Sequence, residues 1–157
     1  MPKIQTPLKS ESPPLRERVS FRVSRLHARL NAQAARILAR TAQISLSQWR
    51  VMVMIERAGE ISASDIVRQT KFDKALVSRT IKSLVKQELV EVGVSQQDQR
   101  THLIRFTKVG LQRFEQAWPH MLARQNTLIA SLDDAEIAQF FATLSKIEAA
   151  IDGQGEV

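Results

Sequence analysis

The stretch that decides the fold is DQRTHLIRFTKVG, which runs from Asp98 to Gly110. It joins a polar turn, SQQDQR at residues 95–100, to a β-like run from Thr101 to Thr107. The segment before the turn, Leu89 to Val94, is rich in valine, and β-branched residues favour strands. Two strand-like runs around a short polar turn predict a β-hairpin.

The helix predicted just before this hairpin, from Asp73 to Gln87, has two different faces. At about 100° per residue, Val77, Ile81 and Leu84 fall on one side and are expected to pack inward. The other side and its flanks carry small and basic residues, namely Lys74, Ala75, Ser78, Arg79, Lys82 and Lys86. Such a helix followed by a charged hairpin can contact DNA in two adjacent grooves.

A shorter helix is predicted upstream, ending at Gln69. Ser62 or Ser64 is expected to cap its start, and Asp65 is favourable in its first turn. A tight connection at residues 70–72 joins it to the next helix, and two short helices at this spacing are typical of a helix-turn-helix.

The candidate DNA-binding residues of this unit have distinct chemistries. Arg79 can offer two parallel donors to guanine, Ser78 can bond a base or a phosphate, and Ala75 can meet a thymine methyl group. Basic side chains such as Lys82 suit the phosphate backbone. The full predicted set is Ser64, Lys74, Ala75, Ser78, Arg79, Lys82, Asp98 and Arg100. The alternative is an ordinary solvated helix face.

Arg100 lies at the predicted tip of the hairpin, two residues after Asp98. A carboxylate at this spacing can hold the guanidinium with charge-assisted hydrogen bonds, and an arginine held in this way loses less entropy on binding. The narrow minor groove has a negative potential that suits it. The alternative is a surface ion pair of little energetic value.

Long amphipathic helices are predicted on both sides of this unit. Apolar residues recur at steps of three and four from Leu15 towards Thr41, while arginines occupy the other faces. Downstream, a helix starts at Thr107, with a kink or break expected near Trp118 because Pro119 follows, and a last helix stops at Gly153. These helices would leave a large apolar patch in water, which predicts a homodimer that reads a palindromic operator in double-stranded DNA.

The composition fits one mainly helical domain with a small β-hairpin wing. The chain has 157 residues, 43% of them hydrophobic, and a net charge of +7, which favours an acidic partner. The absence of cysteine excludes disulfides and thiolate metal sites. No apolar run is long enough to span a membrane and the N-terminus does not look like a secretory signal, so a cytoplasmic protein without membrane contact is expected.

The chain resembles the MarR family, the multiple antibiotic resistance regulators, over about residues 15–150. The specific match is Asp98, Arg100, Phe106, Thr107 and Gly110; broader matches are ISLSQWRVM and DKALVSRTIKSLVKQELVEV. The resemblance implies a winged helix-turn-helix in a helical homodimer, with Arg100 in the minor groove and the Lys74–Lys82 helix in the major groove. The family often has glycine before the first wing strand, where this chain has Gln87-Glu88, so the angle of the wing is open.

Composition and periodicity divide the chain into four segments. They are a tail at 1–14, an N-terminal dimerisation helix at 15–44, a winged helix-turn-helix at 45–107 and C-terminal dimerisation helices at 108–152. The resemblance also implies a ligand. A small aromatic or anionic effector would release DNA from a pocket between the dimer helices and the DNA-binding unit. The candidate pocket residues are His27, Trp49 and Met52, although tryptophan is more often core than ligand platform.

The predicted function is that of a dimeric, ligand-responsive transcription regulator, more often a repressor than an activator. The alternative is a protein-interaction module that uses the winged helix for docking without DNA. No nucleophile elbow, phosphate loop or metal-ligand spacing is present, so neither an enzyme, a cofactor nor a metal is expected.

Overall fold

The computed structural model describes residues 14–70, 72–94 and 100–153. The described helices are α1 (Val19–Thr41), α2 (Leu46–Ala58), α3 (Ala63–Thr70), α4 (Lys74–Lys86), α5 (Lys108–Ile129) and α6 (Asp134–Asp152), with a 3-10 turn at Leu15–Glu17. The described strands are β1 (Glu60–Ser62), β2 (Val90–Val94) and β3 (His102–Phe106). The predicted fold class, mainly α with a small β wing, is confirmed. The tail predicted over 1–14 lies outside the described residues except for Pro14.

The sheet has the order β1-β3-β2 and is antiparallel throughout. The predicted hairpin is confirmed, with Val90 opposite Phe106 and Val94 opposite His102. Strand β1 was not predicted: it places Ile61 opposite Ile104. Three residues are too few to produce an alternating pattern, so this strand forms only because β3 offers a free edge beside it.

Side-chain caps fix where the helices begin. Ser45 caps α2 in a reciprocal capping box with Gln48. Ser62, rather than Ser64, accepts a hydrogen bond from the backbone N–H of Asp65 at 3.1 Å at the start of α3. Asp73 caps α4 as predicted, accepting from the N–H of Leu76 at 2.8 Å. These caps satisfy backbone donors that have no partner inside the helix.

The hydrophobic core lies between α2, α3, α4, the sheet and the adjoining parts of α1 and α5. Its largest fully buried side chains are Leu38, Met52, Ile55, Ile66, Leu84, Leu89, Val51, Val77 and Val90. Trp49 stacks on Phe114 of α5 with ring centroids 4.9 Å apart. In contrast, α6 contains no buried residue and α1 buries only Ala34 and Leu38.

Of the kink or break expected near Trp118, the break does not occur: α5 runs unbroken past Pro119. A proline inside a helix removes one backbone hydrogen bond and crowds the preceding turn. Here Phe114 and Ala117 are buried before the proline, and Met121 packs against the core after it. Packing on both sides of Pro119 therefore holds the helix together.

Candidate nucleic-acid interface

Helix α4 presents the predicted basic face to solvent. Val77, Thr80, Ile81 and Leu84 are buried against the core. The predicted contact residues on this helix, Lys74, Ala75, Ser78, Arg79 and Lys82, are all exposed. The helix is therefore anchored on one side by apolar contacts and free on the other to enter a groove.

A cleft of about 670 Å³ separates α3 and α4 from the sheet. It is lined by Ala63, Ser64, Val67, Lys74, Val77, Ser78, Ile81, Lys82, Val92, His102 and Ile104. The structure thus brings together Ser64, Lys74, Ser78 and Lys82 from two helices around an apolar floor, whereas Ala75 and Arg79 do not line this cleft. A concave surface with basic and hydroxyl groups at its rim suits a phosphate backbone.

His102 belongs to this surface although it was not predicted to. It lies two residues before the buried Ile104 on β3, and alternate residues of a strand share a face. The period of two along HLIRF was the signal that could have placed it beside the cleft.

The tip of the wing is described only in part. Arg100 is exposed at the point where the chain enters β3. Asp98 lies outside the described residues, so the pairing of Asp98 with Arg100 stays a prediction.

Two ion pairs reinforce the surroundings of the interface. Arg105 on β3 donates from Nε to Glu91 Oε1 on β2 at 2.7 Å, and this hydrogen bond together with the charge of Glu91 raises the pKa of Arg105. Ser62 donates to Asp65, which lowers the pKa of the Asp65 carboxyl, with a further contribution from Arg68. Since Arg105 and Ile104 are adjacent on β3, the pair with Glu91 lies on the sheet face opposite the cleft.

The open question of the wing angle has a structural answer at Glu88. Its φ is +56°, which is the left-handed conformation that glycine favours. The N–H of Leu89 donates to the Leu84 carbonyl and that of Glu88 to the Val85 carbonyl, both at 2.9 Å. These two bonds make a Schellman motif at the end of α4. The chain therefore turns into the first wing strand as a glycine would allow, with glutamate in that place.

Thr107 and Gly110 connect the wing to α5 at the same point. The Thr107 hydroxyl donates to the Glu88 carbonyl at 2.6 Å and accepts from the N–H of Gly110 at 2.9 Å. A Cβ on Gly110 would lie 1.7 Å from the carbonyl oxygen of Leu89, so only glycine fits. The end of α4, the base of the wing and the start of α5 thus form one joint, which we call the wing joint (residues 88–89 and 107–110).

The three candidate ligand residues lie in different environments. Met52 is fully buried and Trp49 nearly so, both within the core. His27 is exposed on α1, where its Nε2 lies 3.0 Å from the side-chain nitrogen of Asn31. A shared ligand pocket formed by these residues stays a prediction.

Over 14–70, 72–94 and 100–153, no group of three or more His, Cys, Asp or Glu side chains is arranged to hold a metal ion. Over the same residues, no helix combines the length and the apolar character needed to cross a membrane.

Comparison with known proteins agrees with this geometry. A model of the MarR family matches residues 42–101. The transcriptional repressor IacR of Pseudomonas putida is 27% identical over 93 residues, covering 59% of this chain and 55% of IacR. The chain spans about half the length of the curated relatives it matches.

Solved structures extend the match beyond the winged helix. A MarR/EmrR family regulator from Acinetobacter sp. ADP1 is 25% identical with a TM-score of 0.80, over 90% of this chain and 100% of that one. A mutant of MarR from E. coli in complex with operator DNA is 25% identical with a TM-score of 0.65, over 87% and 99%. The family model, the curated relatives and the fold all match the MarR family of transcription regulators.

Proposed function

We propose that the chain is a homodimeric, sequence-specific DNA-binding transcription repressor that recognises a palindromic operator. The observation that carries this proposal is the exposed basic face of α4 beside a cleft and a wing. The similarity to IacR, named as a repressor, and to a MarR protein bound to operator DNA supports it. The match to a family of regulators also agrees with the expectation that the chain is not an enzyme.

Helix α4 would enter the major groove, with Arg79 facing guanine, Ala75 facing a thymine methyl group and Ser78 reaching a base or phosphate. Lys74 and Lys82, at the rim of the cleft, would contact the phosphate backbone, as would Ser64 on α3. The core behind α4 keeps these side chains in one register, because Val77, Ile81 and Leu84 hold the helix from below.

Arg100 would enter the adjacent minor groove, with Asp98 orienting its guanidinium. The short β2–β3 hairpin gives Arg100 a stable base, since all five residues of each strand are paired. The wing joint then sets where this hairpin lies relative to α4, because Glu88 and Leu89 belong to both elements.

A second copy of the chain would supply the other half of the site. Helix α6 buries none of its residues in its own chain. Even its large apolar side chains Phe141 and Ile151 are 62% and 66% exposed. A two-fold dimer would cover such a surface and place two α4 helices for two half-sites of a palindrome.

A small aromatic or anionic ligand would release the DNA, as the family resemblance implies. Helix α2 is the element through which this signal would pass. Trp49 stacks on Phe114 of α5, and the neighbouring Gln48 donates to Ser83 of α4 at 3.2 Å. A ligand that shifts α2 against α5 would therefore also shift the helix that reads DNA.

A binding titration against the DNA upstream of the coding sequence tests the proposal. Fluorescence anisotropy at several salt concentrations should show log affinity falling linearly with log salt, since bound phosphates release counterions. Arg79→Ala should weaken binding to the operator by about 1–3 kcal/mol and relax base preference at one position. Arg57→Ala, on α2, is the matched control and should leave affinity unchanged. A DNA affinity that does not change with salt concentration would instead favour a protein-docking module.

A further inference from the structure

Helix α1 carries a straight row of arginines that the DNA-binding surface does not use. Arg22, Arg25, Arg29, Arg36 and Arg40 are all exposed and fall within about 60° of one another around the helix. Helix α1 contains no aspartate or glutamate. Among the described residues, none of the five forms an ion pair. We call these residues the arginine stripe.

Helix α6 carries the opposite charge along one flank. Asp134, Glu148 and Asp152 are exposed and lie within about 40° of one another, beside the apolar residues of the helix. They too form no ion pair within the described part of the chain. We call them the acidic flank.

One end of each set has the wrong sign for its own helix. The first turn of a helix favours acidic side chains and the last turn basic ones. The first turn of α1 contains Arg22 and no acidic residue, although Arg40 suits the last turn. The last turn of α6 contains Asp152 and no basic residue, although Asp134 suits the first turn. Arg22 and Asp152 thus disfavour their own helix ends, and their place in regular rows indicates a partner elsewhere.

The spacings of the two rows match. Arg22 and Arg40 are 18 residues apart, and so are Asp134 and Asp152. At about 1.5 Å per residue, two antiparallel helices would bring Arg22 beside Asp152, Arg25 beside Glu148 and Arg40 beside Asp134. In that arrangement the positive start of α1 also lies beside the negative end of α6.

Apolar surface lies beside both rows. Val23 and Leu26, beside the arginines, are about half exposed, and a groove of about 360 Å³ there is closed on its other side by Phe140 of α6. A second groove at the start of α6, of about 570 Å³, contains Phe140 with Asp133 and Glu136. One surface thus presents basic, apolar and acidic patches side by side. A nucleic acid would be repelled by the acidic part, whereas a second copy is complementary to all three.

We propose that the arginine stripe of one copy pairs with the acidic flank of α6 from a second copy, and that these reciprocal ion pairs select the partner in the dimer. The inference rests on the proposed homodimer and adds which residues hold it together. Two-fold symmetry forms every pair twice, so charge decides both affinity and choice of partner.

A charge-swap experiment on the full chain tests this pairing. One variant carries Arg22→Glu and Arg25→Glu; the other carries Glu148→Lys and Asp152→Lys. Each should raise the dimer dissociation constant about 100-fold, measured by analytical ultracentrifugation, because four attractive contacts become repulsive. Arg22→Glu and Asp152→Lys also improve the match between side chain and helix dipole, and all four positions are exposed, so loss of folding is not expected. An equimolar mixture should form a heterodimer of near wild-type affinity, since both kinds of pair are then attractive.

The controls separate this inference from the proposed function. The control variant Arg57→Glu with Lys86→Glu makes the same charge change as the arginine variant, at exposed positions of α2 and α4. It should leave dimerisation unchanged. A wild-type chain that sediments as a monomer would overturn the dimer itself and the pairing with it. A dimer indifferent to the swaps would overturn the pairing alone. Lack of rescue on mixing, or loss of DNA binding with an intact dimer, would assign the arginines to contacts within one chain or to a polyanion.

Discussion

The winged lobe, which comprises α2, α3, α4 and the sheet, differs from the terminal helices α1 and α6 in how much of it is buried within one chain. In the lobe, α2, α3, α4 and the sheet enclose a core in which Met52, Ile66 and Leu84 are fully buried. In α6 no residue is buried, and in α1 only two are. A helix gains most of its stability from packing one apolar face, so the lobe is complete in one chain and the terminal helices are not.

The charges follow the same division. In the lobe, Asp73 caps α4 and Glu91 pairs with Arg105 on the neighbouring strand. In the terminal helices, the arginine stripe and the acidic flank have no ion-pair partner among the described residues. Local rules thus account for the charges of the lobe, whereas the proposed second copy would account for those of the terminal helices.

The strongest way to break the lobe is to place a side chain at Gly110. Gly110→Ala would put a Cβ 1.7 Å from the Leu89 carbonyl oxygen, a clash with backbone that no rotamer relieves. We expect a loss of more than about 4 kcal/mol in the free energy of unfolding, measured by urea denaturation at fixed protein concentration. Gly93→Ala is the control, since a Cβ there meets nothing within 4 Å. Equal stability of the two variants would mean that the wing joint is looser than described.

The terminal helices should respond to substitution in the opposite way. Phe141 on α6 is 62% exposed, so Phe141→Ala should leave the fold of the lobe intact. Each copy would lose about 1.5–3 kcal/mol of apolar burial, so the dimer should weaken by about 3 kcal/mol or more. Sedimentation at decreasing concentration measures the dissociation constant. Near-UV circular dichroism of the variant in a Trp118→Phe background, where Trp49 is the remaining tryptophan, reports the packing of the lobe.

Phe141→Leu keeps most of the apolar surface and is the matched variant. If Phe141→Ala has the same dimer dissociation constant as wild type, then α6 is not covered by a second copy. Loss of the Trp49 signal would show that α6 supports its own lobe.

The difference between the two regions also explains what the sequence could predict. Helices with one apolar face, such as α4, were predicted within a residue or two because Val77, Ile81 and Leu84 recur at helical spacing. The cap of α3 was predicted only as a choice between Ser62 and Ser64, because deciding between them needs the actual backbone geometry. Strand β1 exists only through its long-range pairing with β3, so it left no local signal.

The sequence likewise predicted only part of the candidate site. The exposed face of α4 follows from periodicity alone, whereas the neighbourhood of Ser64, Lys82 and His102 follows only from how three elements pack. Expecting a break at Pro119 failed because the contacts of Phe114 and Met121 with the core are not visible along the chain. Burial of Trp49 and Met52 likewise depends on α5 folding back onto α2.

The smallest expected effect is that of Glu88→Gly at the wing joint. Glu88 holds a φ of +56°, which costs a side chain with a Cβ about 1 kcal/mol and costs glycine almost nothing. Replacing Glu88 with glycine would remove this strain, but glycine is also freer in the unfolded chain, which offsets part of the effect. Glu88→Gly should therefore raise the free energy of unfolding by about 0.5–1 kcal/mol in urea denaturation. Gln87→Gly, at a φ of −89°, should destabilise it instead.

The same pair of variants tests whether the wing already has its functional angle. Because the backbone at Glu88 is left-handed with both Schellman bonds formed, glycine should leave the hairpin where it is. Operator affinity of Glu88→Gly, measured by anisotropy, should therefore equal that of wild type within about twofold, which is about 0.4 kcal/mol. A larger change in affinity at unchanged dimerisation would mean that glutamate holds the wing at an angle of its own, and that the wing joint, rather than α4, distinguishes this chain from relatives with glycine there.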